Sequence, residues 1–161
     1  STLFPYMTLF RSEDLIRAIH AADRPMIGVC FGHQIIAQAM GGTVVKFDGG
    51  WSVGHTEYDY NGQGIALNAW HQDQVIKVPD GARTVASSGF CEHAALVYGD
   101  RIWTIQPHPE FGSDMVTALA TYRGPGVVPA AQLNAVRNRI DAPVNQSDIA
   151  ADMAAFLKRG A

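Results

Sequence analysis

Apolar positions along this chain change their period several times, and each change marks an element. Met26-Ile27-Gly28-Val29 is a short continuous apolar run that reads as a buried strand. Directly after it Ile35, Ile36, Ala39 and Met40 fall at helical spacing, which puts Cys30 at a strand-to-helix junction. Upstream, Ser12 is an expected N-cap, with Glu13 and Asp14 in the first turn and Leu15, Ile16, Ile19 and Ala22 on one face. That helix should end before Asp23-Arg24-Pro25. Downstream, Gly41-Gly42 stops the junction helix and residues 43–46 read as a strand. Asp48-Gly49-Gly50 is a turn, and residues 54–58 and 64–67 are expected strands around Asn61-Gly62, a hairpin signal. Residues 84–86 and 94–98 also read as strands, the latter pairing with residues 101–106 through a turn at Gly99-Asp100. Beyond residue 110 the period becomes helical: over 113–122, over 129–140, and over a last segment capped by Ser147 and Gly160. That last helix has Ile149, Met153, Phe156 and Leu157 on one face. The helices are expected to pack on the outside of the sheet.

Composition narrows the class without choosing a chemistry. The chain has 161 residues, 47% hydrophobic and 17% charged, with a formal net charge of −3. That suits one domain with a real core and lacks the basic surplus of a nucleic-acid binder. No apolar run reaches membrane-spanning length and no charged-then-apolar leader is evident, so a cytoplasmic protein with no membrane partner is expected. No repeat or linker suggests a second domain. Residues 1–11 carry no helical or strand period. They are expected to be a non-native stretch, with the domain proper occupying residues 12–161 and lacking its first strands.

The chemistry centres on Cys30. Gly28-Val29-Cys30-Phe31-Gly32 has the form of a nucleophile elbow, in which a strained residue is lifted clear of the sheet and flanking Gly28 and Gly32 relieve crowding. A thiol there faces the positive end of the following helix, which favours the thiolate. Such a nucleophile needs a base and the base an orienting group. Gln106-Pro107-His108-Pro109-Glu110 supplies both, with prolines restricting the loop on either side of His108. Cys91 reads as a buried small hydrophobe, and Trp51, Trp70 and Trp103 as core or rim aromatics. The six histidines and two cysteines show no zinc-type spacing, and no Walker-type glycine loop is present, so neither a metal nor another cofactor is expected.

Gly28-Val29-Cys30-Phe31-Gly32-His33-Gln34 followed by Gln106-Pro107-His108-Pro109-Glu110 resembles the class I glutamine amidotransferase domain, as in the glutaminase module of GMP synthase. Gly50-Trp51-Ser52-Val53-Gly54 and the segment from Trp70-His71-Gln72-Asp73 onward resemble the family's substrate-side segments. The resemblance implies a flavodoxin-like α/β fold: a mostly parallel sheet flanked by helices, with an antiparallel strand group after the elbow. It implies a Cys30, His108, Glu110 triad that attacks the side-chain amide of glutamine, forms a thioester and releases ammonia to a synthase partner domain or subunit. It further implies the Phe31 N–H as one oxyanion donor, Gln34 beside the bound glutamine, and His71 and Asp73 facing its amino-acid head. In the family a second oxyanion donor comes from a loop upstream of the elbow, which this chain is expected to lack. The loss of one such donor costs on the order of a hundredfold to a thousandfold in rate.

Two alternatives stand beside that reading. The same triad can act on a different γ-glutamyl bond, as a peptidase or hydrolase. A catalytically silent regulatory module would keep the fold without turnover.

Overall fold

Two short apolar strands far apart in sequence, β1 (Met26–Val29) and β8 (Ile102–Ile105), lie side by side and parallel, in register from Met26 with Ile102 to Val29 with Ile105. In this computed structural model, which describes residues 3–159 and the side chains of residues 11–159, they hold one edge of a six-stranded sheet of order β1-β8-β7-β6-β3-β4. The other members are β3 (Ser52–Tyr60), β4 (Gln63–His71), β6 (Ala82–Ser87) and β7 (Ala95–Tyr98). Their pairings with one another, and that of β7 with β8, are all antiparallel. The sheet is therefore mixed. Its parallel part is confined, among the described residues, to β1 and β8, so the antiparallel group expected after the elbow makes up most of it.

Strand β8 explains why the sheet needs cover on both faces. All of Ile102, Trp103, Thr104 and Ile105 are buried. Alternation sends Ile102 into a core shared with α1 (Leu3–Ala21) and α2 (Phe31–Ala39), through Ile16, Ile35 and Ile36. Trp103 and Ile105 enter the opposite core, where Tyr58, Leu67 and Ile149 of α5 (Gln146–Lys158) meet them. A third cluster joins α3 (Ser113–Tyr122) and α4 (Ala130–Asn138) to Trp51, Val53 and Trp70 at the far edge.

Several expectations are met in place. The β3–β4 hairpin closes through Asn61 and Gly62, both at positive φ (51° and 83°), as a two-residue turn matched to the sheet twist requires. Its strands run several residues longer than expected. Strands β7 and β8 pair through Gly99-Asp100.

Other expectations need correction. Helix α1 begins at Leu3, so Ser12 lies in its interior and not at its start; Pro5 falls in the first turn, where a missing N–H costs no helical bond. The unperiodic stretch before Ser12 is thus helical from Leu3 on. Asn145, not Ser147, caps α5: its side-chain oxygen accepts from the Ala66 N–H (2.9 Å) while its own N–H donates to the Ala66 carbonyl (2.8 Å), docking the helix start on β4. Leu157 is exposed, because the buried stripe of α5 runs through Ile149, Met153 and Phe156. The proposed cap Gly160 lies outside the described residues. A strand absent from the sequence reading, β5 (Asp73–Lys77), pairs antiparallel with β2 (Thr43–Lys46) in a separate ribbon. Among the described residues no helix is long and apolar enough to cross a membrane.

The elbow glycines are not equivalent. A Cβ on Gly28 would come within 2.7 Å of the Gly32 backbone and of the Ile36 side chain, so β1 and α2 approach as closely as they do only because residue 28 has none. A Cβ on Gly32 would meet nothing within 4 Å, which corrects the expectation that both glycines relieve crowding. Gly28→Ala should therefore cost about 2 kcal/mol or more, a fall of about 4–8 °C in Tm. Gly32→Ala, in the first turn of α2, should leave Tm unchanged or slightly raised through helix propensity. Equal losses in thermal melts of the two variants would show that the close approach is not what fixes the junction.

Candidate active site

Cys30 sits where β1 ends and α2 begins, at φ 49° and ψ −103°, a conformation side chains rarely adopt. Two backbone bonds hold it there: its N–H donates to the Ile105 carbonyl (2.8 Å), continuing the parallel ladder, and its carbonyl accepts the first helical bond from Gln34 (3.1 Å). The strained elbow read from the sequence is present.

Because Cys30 is tied to the end of β8, the segment after β8 lies next to it. Gln106 follows Ile105 directly and is fully buried; its Nε2 donates to Cys30 Sγ (3.6 Å) and its Oε1 accepts from Gln34 Nε2 (3.1 Å). The chain then turns through Pro107. His108 is anchored by its N–H to the Asn68 carbonyl of β4 (2.8 Å), and Asn68 in turn donates its amide to the Phe111 carbonyl (2.8 Å). Gln146 at the start of α5 donates to the Pro109 carbonyl (2.9 Å). The loop thus rests on β4 and α5 as well as on β8.

Within that loop His108 Nδ1 lies 2.7 Å from Glu110 Oε1. A carboxylate only accepts, so Nδ1 carries a hydrogen in this contact. The ring lies flat on Phe111, centroids 3.8 Å apart and planes within 3°. His108 and Glu110 are thereby brought together as expected. The polar partners of Cys30 Sγ are the Gln106 amide and the Phe31 N–H.

Burial pushes Cys30 up to about 11; the Phe31 N–H and the Gln106 amide act against the rise, and the charges of Glu110 and Asp73 add to it. The expectation that the helix end would favour the thiolate is therefore reversed. Desolvation of the anion, together with two nearby carboxylates, outweighs the α2 N-terminus.

Cys30 opens onto a cleft of about 440 Å³ lined also by Gln34, His71 and Asp73, the three residues expected at the substrate, and by Lys46, Trp51, Trp70 and Gln72. The side chain of Gln34 is already engaged: its amide donates to the Asp73 carbonyl (2.9 Å) as well as to Gln106, tying α2 to β5 and to the β8 loop. His71 is buried, its Nδ1 donating to the same Asp73 carbonyl (3.2 Å), and burial lowers it to about 4. It is a neutral ring at physiological pH. The Asp73 side chain reaches the cleft from β5, where the register sets it opposite Lys46 of β2. His33, beside the elbow, points away from the cleft into the core: Nδ1 is 2.8 Å from Thr104 Oγ1, and burial lowers it to about 3. Phe31 turns its ring outward, 59% exposed, and its N–H toward Cys30. Cys91 is a buried core residue.

The sequence reading missed Gln106, Asn68 and Lys46. A glutamine ending the apolar run Ile102-Trp103-Thr104-Ile105 was a usable signal, since a buried amide must find partners. Lys46 carried none, because its place in the cleft depends on the β2–β5 pairing. Among the described residues no group of three or more His, Cys, Asp or Glu side chains is placed to hold a metal ion.

The family model for glutamine amidotransferase class-I matches residues 6–117. The chain belongs to that family. It is 34% identical over 113 residues to a glutamine-hydrolysing GMP synthase subunit of Methanothermobacter thermautotrophicus, covering 64% of this chain and 60% of that one. It is 30% identical over 117 residues to gamma-glutamyl peptidase 4 of Arabidopsis thaliana, covering 64% of this chain and 47% of that one. The crystal structure of a glutamine amido transferase from Methylobacillus flagellatus superposes with a TM-score of 0.74 at 24% identity, covering 93% of this chain and 68% of that one, which establishes the shared fold. The chain spans 39% to 60% of the length of three curated relatives it matches.

A thiol near 11 makes a direct prediction. Alkylation of Cys30 by iodoacetamide in the ligand-free protein should rise about tenfold per pH unit from pH 7 to 9, because the thiolate fraction does so below the pKa. A plateau reached below pH 7.5, read by intact mass with Cys30→Ala as control, would show a preformed thiolate instead.

Proposed function

We propose that Cys30 is the nucleophile of a glutamine-hydrolysing site, with His108 as its base and Glu110 as the group that orients the base. The observation that carries this reading is the strained Cys30 opening onto a cleft, with the charge of Glu110 acting on its thiol and the same carboxylate holding His108 Nδ1. In this reading His108 Nε2 takes the thiol proton once substrate displaces water from the cleft. Sγ attacks the side-chain amide carbon, and the oxyanion receives the Phe31 N–H. Ammonia leaves with the proton from His108. Water activated by the same imidazole then cleaves the thioester to glutamate. The amide of Gln106 steadies the sulfur as it becomes anionic.

The amino-acid head of glutamine carries one positive and one negative group. Among the residues lining the cleft Lys46 and Asp73 are the cation and the carboxylate, set opposite each other on the β2–β5 ribbon. We assign Asp73 to the α-ammonium and Lys46 to the α-carboxylate. Gln34 and His71 act mainly by holding the Asp73 carbonyl. Similarity to a GMP synthase subunit supports delivery of the ammonia to a synthase partner. A second reading, hydrolysis of γ-glutamyl peptides, is supported by similarity to a γ-glutamyl peptidase and by two tryptophans in the cleft wall.

Incubation with a diazoketone analogue of glutamine should add one adduct by intact mass, absent in Cys30→Ala. His108→Asn should lower the rate of glutamate release about a hundredfold to ten-thousandfold. Glu110→Gln should cost less, because that carboxylate is half exposed and water can partly replace it. An adduct that survives in Cys30→Ala would sink the assignment.

Lys46→Met and Asp73→Asn should each raise KM for glutamine about tenfold with a much smaller change in kcat, the loss of one charge-assisted bond to the substrate head. Unchanged KM in steady-state assays of both variants would place the head group elsewhere.

A further inference from the structure

We infer that the Trp51–Trp70 wall is a leaving-group subsite, and that this protein takes γ-glutamyl amides whose nitrogen carries an aromatic substituent in preference to those with a small one. The inference rests on the reading that Cys30 attacks a γ-glutamyl carbonyl.

The cleft wall is mixed in chemistry. On the β2–β5 side stand Lys46 and Asp73, suited to the charged head. Trp51, just before β3, and Trp70 of β4 add two half-buried indoles to the wall, their ring centroids 6.3 Å apart and tilted by 56°. The indoles pack on the same cluster as Phe111. Phe111 is the ring on which His108 lies at 3.8 Å. Trp70 also stands two residues along β4 from Asn68, whose carbonyl holds the His108 N–H, so the aromatic wall is built on the strand that anchors the imidazole loop, where the departing nitrogen is protonated. Ammonia has no apolar surface to set against two indoles, whereas an arylalkylamine does. Full burial under α3 and α4 would account for these rings as core residues; instead each keeps part of its surface on the cleft that holds Cys30.

The step balances with water alone. Cys30 Sγ forms the thioester as the C–N bond breaks, and the amine leaves with the proton held by His108. Water then adds to the thioester carbonyl, giving glutamate and restoring the thiol.

The test compares γ-glutamyl benzylamide with γ-glutamyl methylamide, whose amines are both simple alkylamines. In the native chain kcat/KM should favour the benzylamide about tenfold. The same preference should appear in the concentrations that protect Cys30 from the diazoketone analogue, a readout that needs no turnover. Trp51→Leu and Trp70→Leu should bring the ratio toward one whatever their absolute rates, and Trp51→Phe and Trp70→Phe should keep most of it. Normal labelling of Cys30 with equal protection by the two amides would overturn the subsite alone, as would a preference that survives both leucine variants. Failure of Cys30 to label would overturn the hydrolytic reading, and the subsite with it.

Discussion

The parallel ladder between β1 and β8 is the constraint on which the site depends. It carries the Cys30 N–H onto the Ile105 carbonyl, and so sets the end of one strand against the end of another more than seventy residues later. Everything chemical follows from what each chain does on leaving the ladder. One turns into α2 through a strained cysteine; the other turns through Gln106 and Pro107 into the loop of His108 and Glu110. Ligand sites of open α/β sheets gather at these carboxyl ends because both faces of the strands are covered and only their ends are open. Here α1 and α2 cover one face and α5 the other.

The rest of the fold supports that junction from outside. Asn68 of β4 holds the His108 loop from below, Gln146 holds it from α5, and Gln34 laces α2 to both Gln106 and β5. Few of the groups that steady the site are themselves candidates for chemistry. The elbow is kept tight by an atom that is missing, the Cβ of Gly28, which lets α2 descend onto β1. Burial that makes the junction rigid also makes its thiol hard to ionise. Rigid placement by burial and ready ionisation of the thiol are thus opposed at this junction.

Charge and aromatic character divide the cleft as the sheet divides its strands. The small β2–β5 ribbon brings a lysine and an aspartate, and the β3–β4 hairpin brings two tryptophans. A cysteine opening onto a cleft with both charged and aromatic walls is suited to a substrate with a zwitterionic end and a variable end. That division gives the γ-glutamyl readings a common basis.

What the sequence by itself determined is what short stretches of chain enforce. The elbow torsion at Cys30, the hairpin at Asn61-Gly62 and the pairing of His108 with Glu110 two residues later all arise within a few bonds, so residue type and spacing were enough to read them. The same holds for the apolar runs of β1, β7 and β8, whose length and branching suit strands buried on both faces. Tertiary structure decided the properties that arise between distant segments. It made Asp73–Lys77 a strand by giving it β2 as partner, placed Lys46 in the cleft, engaged the amide of Gln34 with a carbonyl and another glutamine, and carried α1 back to Leu3. It also set the protonation of Cys30, His33 and His71, because desolvation depends on which remote side chains exclude water from a group and not on its neighbours in sequence.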